Sequence, residues 1–267
     1  MAGTDGAADD DALFVLTAQL LTPARFPGVL GDDYPAACAA LGLAPHGGGY
    51  GLVLGQDGAG ARWTVVIDDV SLVAVAIASW DCGMEYDLSP GDRSVVAALP
   101  GWPLAVATVA PGVPAPHDPD GEEVDGPPLA PPDTSEWGPA QRRLGADEVA
   151  LQWGVWRAQV DEQITFARPD ALPEERAAPH EGVRRVLREL HGYVDDAPPL
   201  GRVRSSFASD GARMLRADGP GWSLVARTDD IALVLLDEEP GEVLPVGRGP
   251  ELPGLLEALD RLAVRPS

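Results

Sequence analysis

One stretch decides how this chain can be divided. Pro111–Glu136, PGVPAPHDPDGEEVDGPPLAPPDTSE, holds eight prolines, three glycines and seven acidic residues, and no arginine. Proline lacks the amide donor that helices and sheet ladders need. A run so poor in large apolar side chains cannot bury enough surface to offset its ordering entropy. The stretch reads as a linker or long loop, extended by proline and by repulsion between its carboxylates. It separates an N-terminal α/β half, 1–110, from a C-terminal α/β half, 137–267. Asp118, Asp120, Glu122 and Asp125 offer oxygen ligands of the kind hard cations take. The spacing of an EF-hand loop and its final glutamate are missing, so the reading is solvated acid and no metal is assigned.

In the first half, Asp33–Leu43 has helix-start chemistry, with an acidic opening, an early proline and Gly42 near its end. Tyr50–Gly55 and Arg62–Asp68 read as strands joined by the turn Gln56–Gly60, and Trp63, Val65 and Ile67 share one face. Leu72–Ser79 is apolar throughout and short, which predicts a central strand covered on both faces. Ser89–Leu99 opens with Ser, Pro and Asp92 and predicts a helix, and Leu104–Val109 predicts another strand.

In the second half, Val149, Trp153, Trp156, Val160 and Ile164 recur at helical spacing and predict a helix over Asp147–Gln163. Pro169–Pro179 reads as a loop. Glu181–Val194 carries an apolar stripe of Val183, Val186, Leu187, Leu190 and Val194 and predicts an amphipathic helix. Val203–Ala208, Arg213–Ala217, Trp222–Arg227 and Ile231–Asp237 read as strands, with Glu242–Val246 as a further one and Glu251–Leu262 as a closing helix. The segments RWTVVIDDVSLVAVAIAS and GWSLVARTDDIALVLLDE each place a Trp at a strand start and an Asp-Asp turn before an apolar run. The expected fold is therefore α+β, a duplication of a helix/antiparallel-meander/helix unit whose two halves form one or two packed sheets.

Composition then removes whole classes of chemistry. The sequence contains no lysine, so it has no P-loop lysine, kinase strand lysine or Schiff-base lysine. No HExxH, CxxC or GxSxG occurs, and the four histidines, His46, His117, His180 and His191, fall at no metal-ligand spacing. His46 is the one histidine worth testing, because it feeds the glycine run Gly47–Gly49. Cys38 reads as a small core residue and Cys82 as the end of a strand. The carboxylate runs Asp9–Asp11, Asp32-Asp33, Asp68-Asp69, Asp195-Asp196 and Asp229-Asp230 sit where Asp favours turns and helix starts. No catalytic residue and no cofactor is assigned.

The net charge of −23 repels phosphate and anionic lipid, so nucleic acid and membrane are poor partners. The N-terminus has no basic region followed by an apolar core, and Val70–Trp80 is far short of the roughly 20 residues that span a bilayer. Both point to the cytoplasm. At the level of architecture alone, such a duplicated unit is similar to secretion-chaperone-like and immunity-like bacterial proteins, which implies binding to another protein. The expected function is a non-catalytic protein-binding module, a chaperone, immunity- or antitoxin-like protein or adaptor of a bacterial cytoplasm, with a basic or neutral protein partner. Trp153 and Trp156 are the candidate binding anchors. Two alternatives stay open: a hydrolase-type enzyme built from scattered carboxylates and arginines, and a small-molecule-binding protein.

Overall fold

The structure is a computed structural model describing residues 13–84, 86, 88–120, 124, 126–166 and 180–266. The Asp9–Asp11 run, Glu122, Asp125 and the expected Pro169–Pro179 loop lie outside the described residues. The chain is α+β, with six helices and two antiparallel sheets among the described residues. Its internal contacts divide it into two compact units. The first comprises Met1–Leu30 and Ala44–Pro132, the second Gly31–Leu43 and Asp133–Ser267. The short segment Gly31–Leu43, which carries helix α1 (Tyr34–Ala40), thus belongs with the C-terminal sequence.

In the first unit, strands β1 (Phe14–Leu21), β2 (Tyr50–Gln56), β3 (Arg62–Ile67) and β4 (Val95–Pro100) form an antiparallel sheet in sequence order. Helix α2 (Val70–Asp81) connects β3 to β4 and lies over β1 and β2. Val73 packs there with Ala18, Val53 and Ile67. Gly51 makes that approach possible, since a Cβ at this position would stand 2.4 Å from Val73 Cγ2 and 2.9 Å from Ile67 Cγ1. The chain beyond β4 is strapped to β2 and β3. Thr64 Oγ1 donates to the Gly101 carbonyl at 2.7 Å, and Trp102 Nε1 to that of Gly55 at 2.9 Å. Gln56, fully buried, accepts from the Ala110 amide at 2.9 Å and donates to the Pro114 carbonyl at 3.1 Å. Both polar ends of the amide are thus used, as burial demands. His117 completes the strap, accepting from the Arg62 amide at 2.9 Å.

Three expectations for this half are corrected. Leu72–Ser79 is the body of helix α2, not a central strand: Asp69 caps it by accepting from the Leu72 amide at 3.1 Å, and Ala74, Ala76 and Ala78 favour helix. The Ser89–Leu99 helix does not form. Gly91 closes a turn with Ser94, and the β-branched pair Val95-Val96 joins β3 as its outer neighbour. Leu104–Val109 forms no strand, because the β3–β4 ladder ends at Trp63 and Pro100 and the chain has by then left the sheet. β1 is an element that the periodicity did not announce.

In the second unit, β5 (Val203–Phe207), β6 (Arg213–Gly219), β7 (Trp222–Arg227), β8 (Ala232–Leu236) and β9 (Leu244–Val246) form a five-stranded antiparallel meander. Alternation of side chains splits its two faces. Leu215, Ala217, Trp222, Leu224, Val234 and Leu236 meet α5 (Glu181–Asp195) and α6 (Leu252–Leu262) through Val186, Leu190, Leu256 and Leu259. Val225, Leu233 and Leu235 meet α3 (Pro139–Leu151) and α4 (Trp153–Phe166) on the other face. The single helix expected over Asp147–Gln163 is two helices. The chain breaks at Gln152, whose φ of −108° and ψ of 35° leave the helical region one residue before Trp153 turns inward. The two segments matched as repeats part company after their shared Asp-Asp pair, into helix α2 in one unit and strand β8 in the other.

Candidate interaction surfaces

Trp153 and Trp156 both sit in the first turn of α4, but they are not equivalent. Trp153 is 8% exposed and packs with Val149, Val160, Val225 and Leu233; Trp156 is half-buried against the same cluster. Beside Trp153 an open depression of about 470 Å³ reaches the β7–β8 turn, lined also by Arg157, Arg227, Asp229 and Asp230. Its charges are matched in pairs: Arg157 Nε meets Asp230 at 2.9 Å and Arg227 Nε meets Asp229 at 2.6 Å. The hydrogen bond from Arg227 holds the Asp229 carboxyl below its ordinary range. A dimple so neutralised offers shape but little field. Trp153 thus packs in this core with one edge turned to the depression, and Trp156 lies half-buried beside the same cluster.

On the α3 face of the same sheet, arginines and carboxylates converge. Arg142 and Arg143 are adjacent on α3 and both fully enclosed. Arg142 Nε donates to Asp237 at 2.6 Å, Nη1 to Ser223 Oγ at 2.5 Å, and Nη2 to Asp32. Arg143 pairs with Asp218, which also receives Arg204 Nη2 at 3.0 Å and the Ser223 hydroxyl at 2.8 Å. Arg216 Nη1 donates to Asp147 at 2.6 Å. The four guanidiniums face the four carboxylates of Asp32, Asp147, Asp218 and Asp237. Burial alone would raise the Asp218 carboxyl; Arg143, Arg204 and Arg216 outweigh it and hold it well below the usual carboxylate range. Burial lowers Arg204 to about 10, and the neighbouring Arg216 and Arg143 add to that against the pull of Asp218. Asp218 has no exposed surface, so no substrate reaches it, and the balanced charges make this a structural lock. Asp33 extends the lock by capping α1 through the Ala36 amide at 2.7 Å while accepting from Arg202 Nε at 2.9 Å. Sequence reading took Asp32-Asp33 as helix-start chemistry and missed these distant arginines. The one available signal was Arg216 and Asp218 alternating on the face of β6 that Met214 shares.

The remaining candidates resolve into local roles. His46 stacks edge-on with Tyr50 at 4.5 Å and its Nδ1 accepts from the Gly48 amide at 3.2 Å, which shapes the glycine turn. Cys38 is buried in α1, and burial pushes its thiol up. Cys82 is exposed and follows the last turn of α2, where a strand end was expected. Among the described residues no three His, Cys, Asp or Glu side chains are grouped to hold a metal ion. Among them, too, no helix is long and apolar enough to cross a membrane.

Helix α2 is the unusual surface. From Val70 to Trp80 it has no charged residue. Val73 and Ala76 are buried against the sheet, yet Ala74, Ala78 and Cys82 face outward beside Val75 at 49% exposure, and Trp80, on the row of Ala76 at the C-terminal end of the helix, is 78% exposed. Met84 and Tyr86 continue the exposed apolar surface past the helix end. A helix that is apolar all round is normally buried all round. Here one half of it lies open.

No family model matches the chain, and neither a curated protein nor a solved structure is significantly similar to it.

Proposed function

We propose that this chain is a non-catalytic module that binds another protein, and that α2 of the first unit provides the binding surface. The observation that carries the reading is the uncharged helix whose outward half is exposed. Contiguous apolar surface of that kind, rimmed by polar residues, is characteristic of interaction sites. The convergence of arginines and carboxylates in the second unit supports the reading from the other side, because its centre, Arg142, Arg143 and Asp218, is enclosed and its charges are balanced, and so it has the form of a scaffold. The net charge of −23 favours a basic or neutral partner. The proposed duplication keeps its support in the two sequential meanders and in the Trp-strand-Asp-Asp sequence that β3 and β7 share.

The test is reconstitution. A protein that co-purifies from the native organism is produced separately and recombined with the purified chain. The association rate should fall several-fold between low and physiological salt, with dissociation little changed, since rim charges act on encounter. No stable complex from purified components, together with turnover of a small substrate, would overturn the reading.

A further inference from the structure

We infer that the outward face of α2 receives an amphipathic helix of the partner protein, with an uncharged stripe flanked by Arg or Lys at both ends. This rests on the protein-binding reading above. The twelve residues of α2 give a track of roughly 18 Å, three turns of a facing helix. Ala74, Ala78 and Cys82 lie along an i, i+4 row, and the parallel row of Ser71, Val75 and Ser79 runs beside it. Side chains this small leave a groove into which a ridge of another helix can settle at close axial distance. A strand is a poor occupant, because the backbone groups along α2 are already used within the helix and offer no ladder.

Charge selects the partner. Asp68 and Asp69 stand at one end of the track and Asp81 at the other, all three exposed, and no cation pairs with them among the described residues. The Gly91–Ser94 turn, hydrogen-bonded to the Asp68 amide, adds one acid, Asp92, and one base, Arg93, so the balance stays acidic. Asp81 sits in the last turn of α2, where the helix dipole disfavours an anion, and a partner cation there relieves both. A second copy of the chain brings Asp68, Asp69 and Asp81 against the same carboxylates, on molecules each carrying −23. An anionic lipid surface meets the same repulsion.

The experiment uses the whole chain and two synthetic helical peptides with one Leu/Ala stripe, ended by arginine pairs or by glutamate pairs. Affinity is read by fluorescence anisotropy of the labelled peptide, and occupancy by the reaction rate of Cys82 with an aromatic disulfide, Cys38 being buried. The arginine-ended peptide should bind about tenfold or more tighter than the glutamate-ended one, with the ratio shrinking in high salt, and should slow the Cys82 reaction. Ala78→Arg should abolish this binding without moving the unfolding midpoint, and Asp81→Arg should narrow the preference. Leu151→Arg, on the other unit and 82% exposed, should change neither. Equal affinity for the two peptides, or no Cys82 protection, overturns the inference. So does dimerisation that Ala78→Arg abolishes, which assigns the face to a second copy, or Cys82 protection by phosphatidylcholine vesicles and not by peptide. A reconstituted partner that binds Ala78→Arg as well as wild type overturns the helix inference and leaves the protein-binding reading standing; absence of any reconstituted complex removes that reading itself.

Discussion

Trp63 and Trp222 stand at the start of β3 and β7, and each strand runs on to an Asp-Asp pair. Past Asp68-Asp69 the chain winds into α2, and past Asp229-Asp230 it doubles back as β8. The two following segments are almost equally apolar. Three physical differences separate them. Asp69 caps a helix through the Leu72 amide, whereas Asp229 and Asp230 are engaged by Arg227 and Arg157. The α2 segment alternates its branched residues with three alanines, while β8 is Leu and Val after its first residue. The place beside β3 is taken by β4, whereas β8 lies between β7 and β9 with helices on both faces. An apolar run becomes a central strand only where a free ladder and two covers await it.

The largest effect that would sharpen this contrast belongs to the covered sheet. Asp218→Ala should cost the chain about 3–5 kcal/mol, measured by urea denaturation, because it strands Arg143 and Arg204 without their carboxylate. A loss below about 1 kcal/mol would show the ion cluster to be water-filled rather than dry. The same group sets a pH dependence. Its folded-state value is depressed, so its contribution is fully present above the unfolded value of about 3.9 and fades as the pH falls below it. Stability below about pH 4 should therefore fall less steeply in Asp218→Asn than in wild type.

Next come the two apolar runs themselves. Leu235→Ala in β8 should cost about 2–5 kcal/mol, the figure for a filled core site. Ile77→Ala, half-buried in α2, should cost under about 2 kcal/mol. Equal losses would break the comparison by placing α2 in a sealed core. Gly51→Ala should cost about 1–3 kcal/mol by overpacking against Val73. Faster hydrogen exchange in α2 amides, with β8 unchanged, is the accompanying signature. The smallest effect is Trp80→Ala, within about 0.5 kcal/mol of wild type in the same denaturation assay, because the ring is exposed.

Elements of the second unit were legible because each carried two agreeing signals. The α5 and α6 stripes have a helical period and clear boundaries, and the β6–β8 hairpins have Gly or Asp-Asp between apolar runs. The first unit misled where signals conflicted. The run Val73 to Ala78 alternates large and small at period two, as a strand would, but its capping aspartate and alanines prevail. Ser89, Pro90 and Asp92 imitate a helix start in what is a turn before an edge strand. The site was less readable still. Tryptophans attract attention as anchors, yet Trp153 is core, while exposure of Val75 and Ala78 is a property of what fails to pack on them. Arg142 and Arg143 are far from Asp218 in sequence, and no local pattern joins α3 to β6.

Helix α1 has a consequence for how the protein is made. Asp32 precedes Arg142 by 110 residues and Asp33 precedes Arg202 by 169. At translation speeds of about 5–20 residues per second, α1 is synthesised roughly 5–20 s before its first arginine and up to about 35 s before its second. During that interval every residue of the first unit has been synthesised, and Tyr34 and Cys38, fully buried in the finished chain, belong to a unit not yet made. A gene cut within the codons for Pro111–Glu136 would freeze the molecule at that stage. It would yield an N-terminal product carrying a helix it has no use for, and a C-terminal product whose Arg142 and Arg202 have lost Asp32 and Asp33.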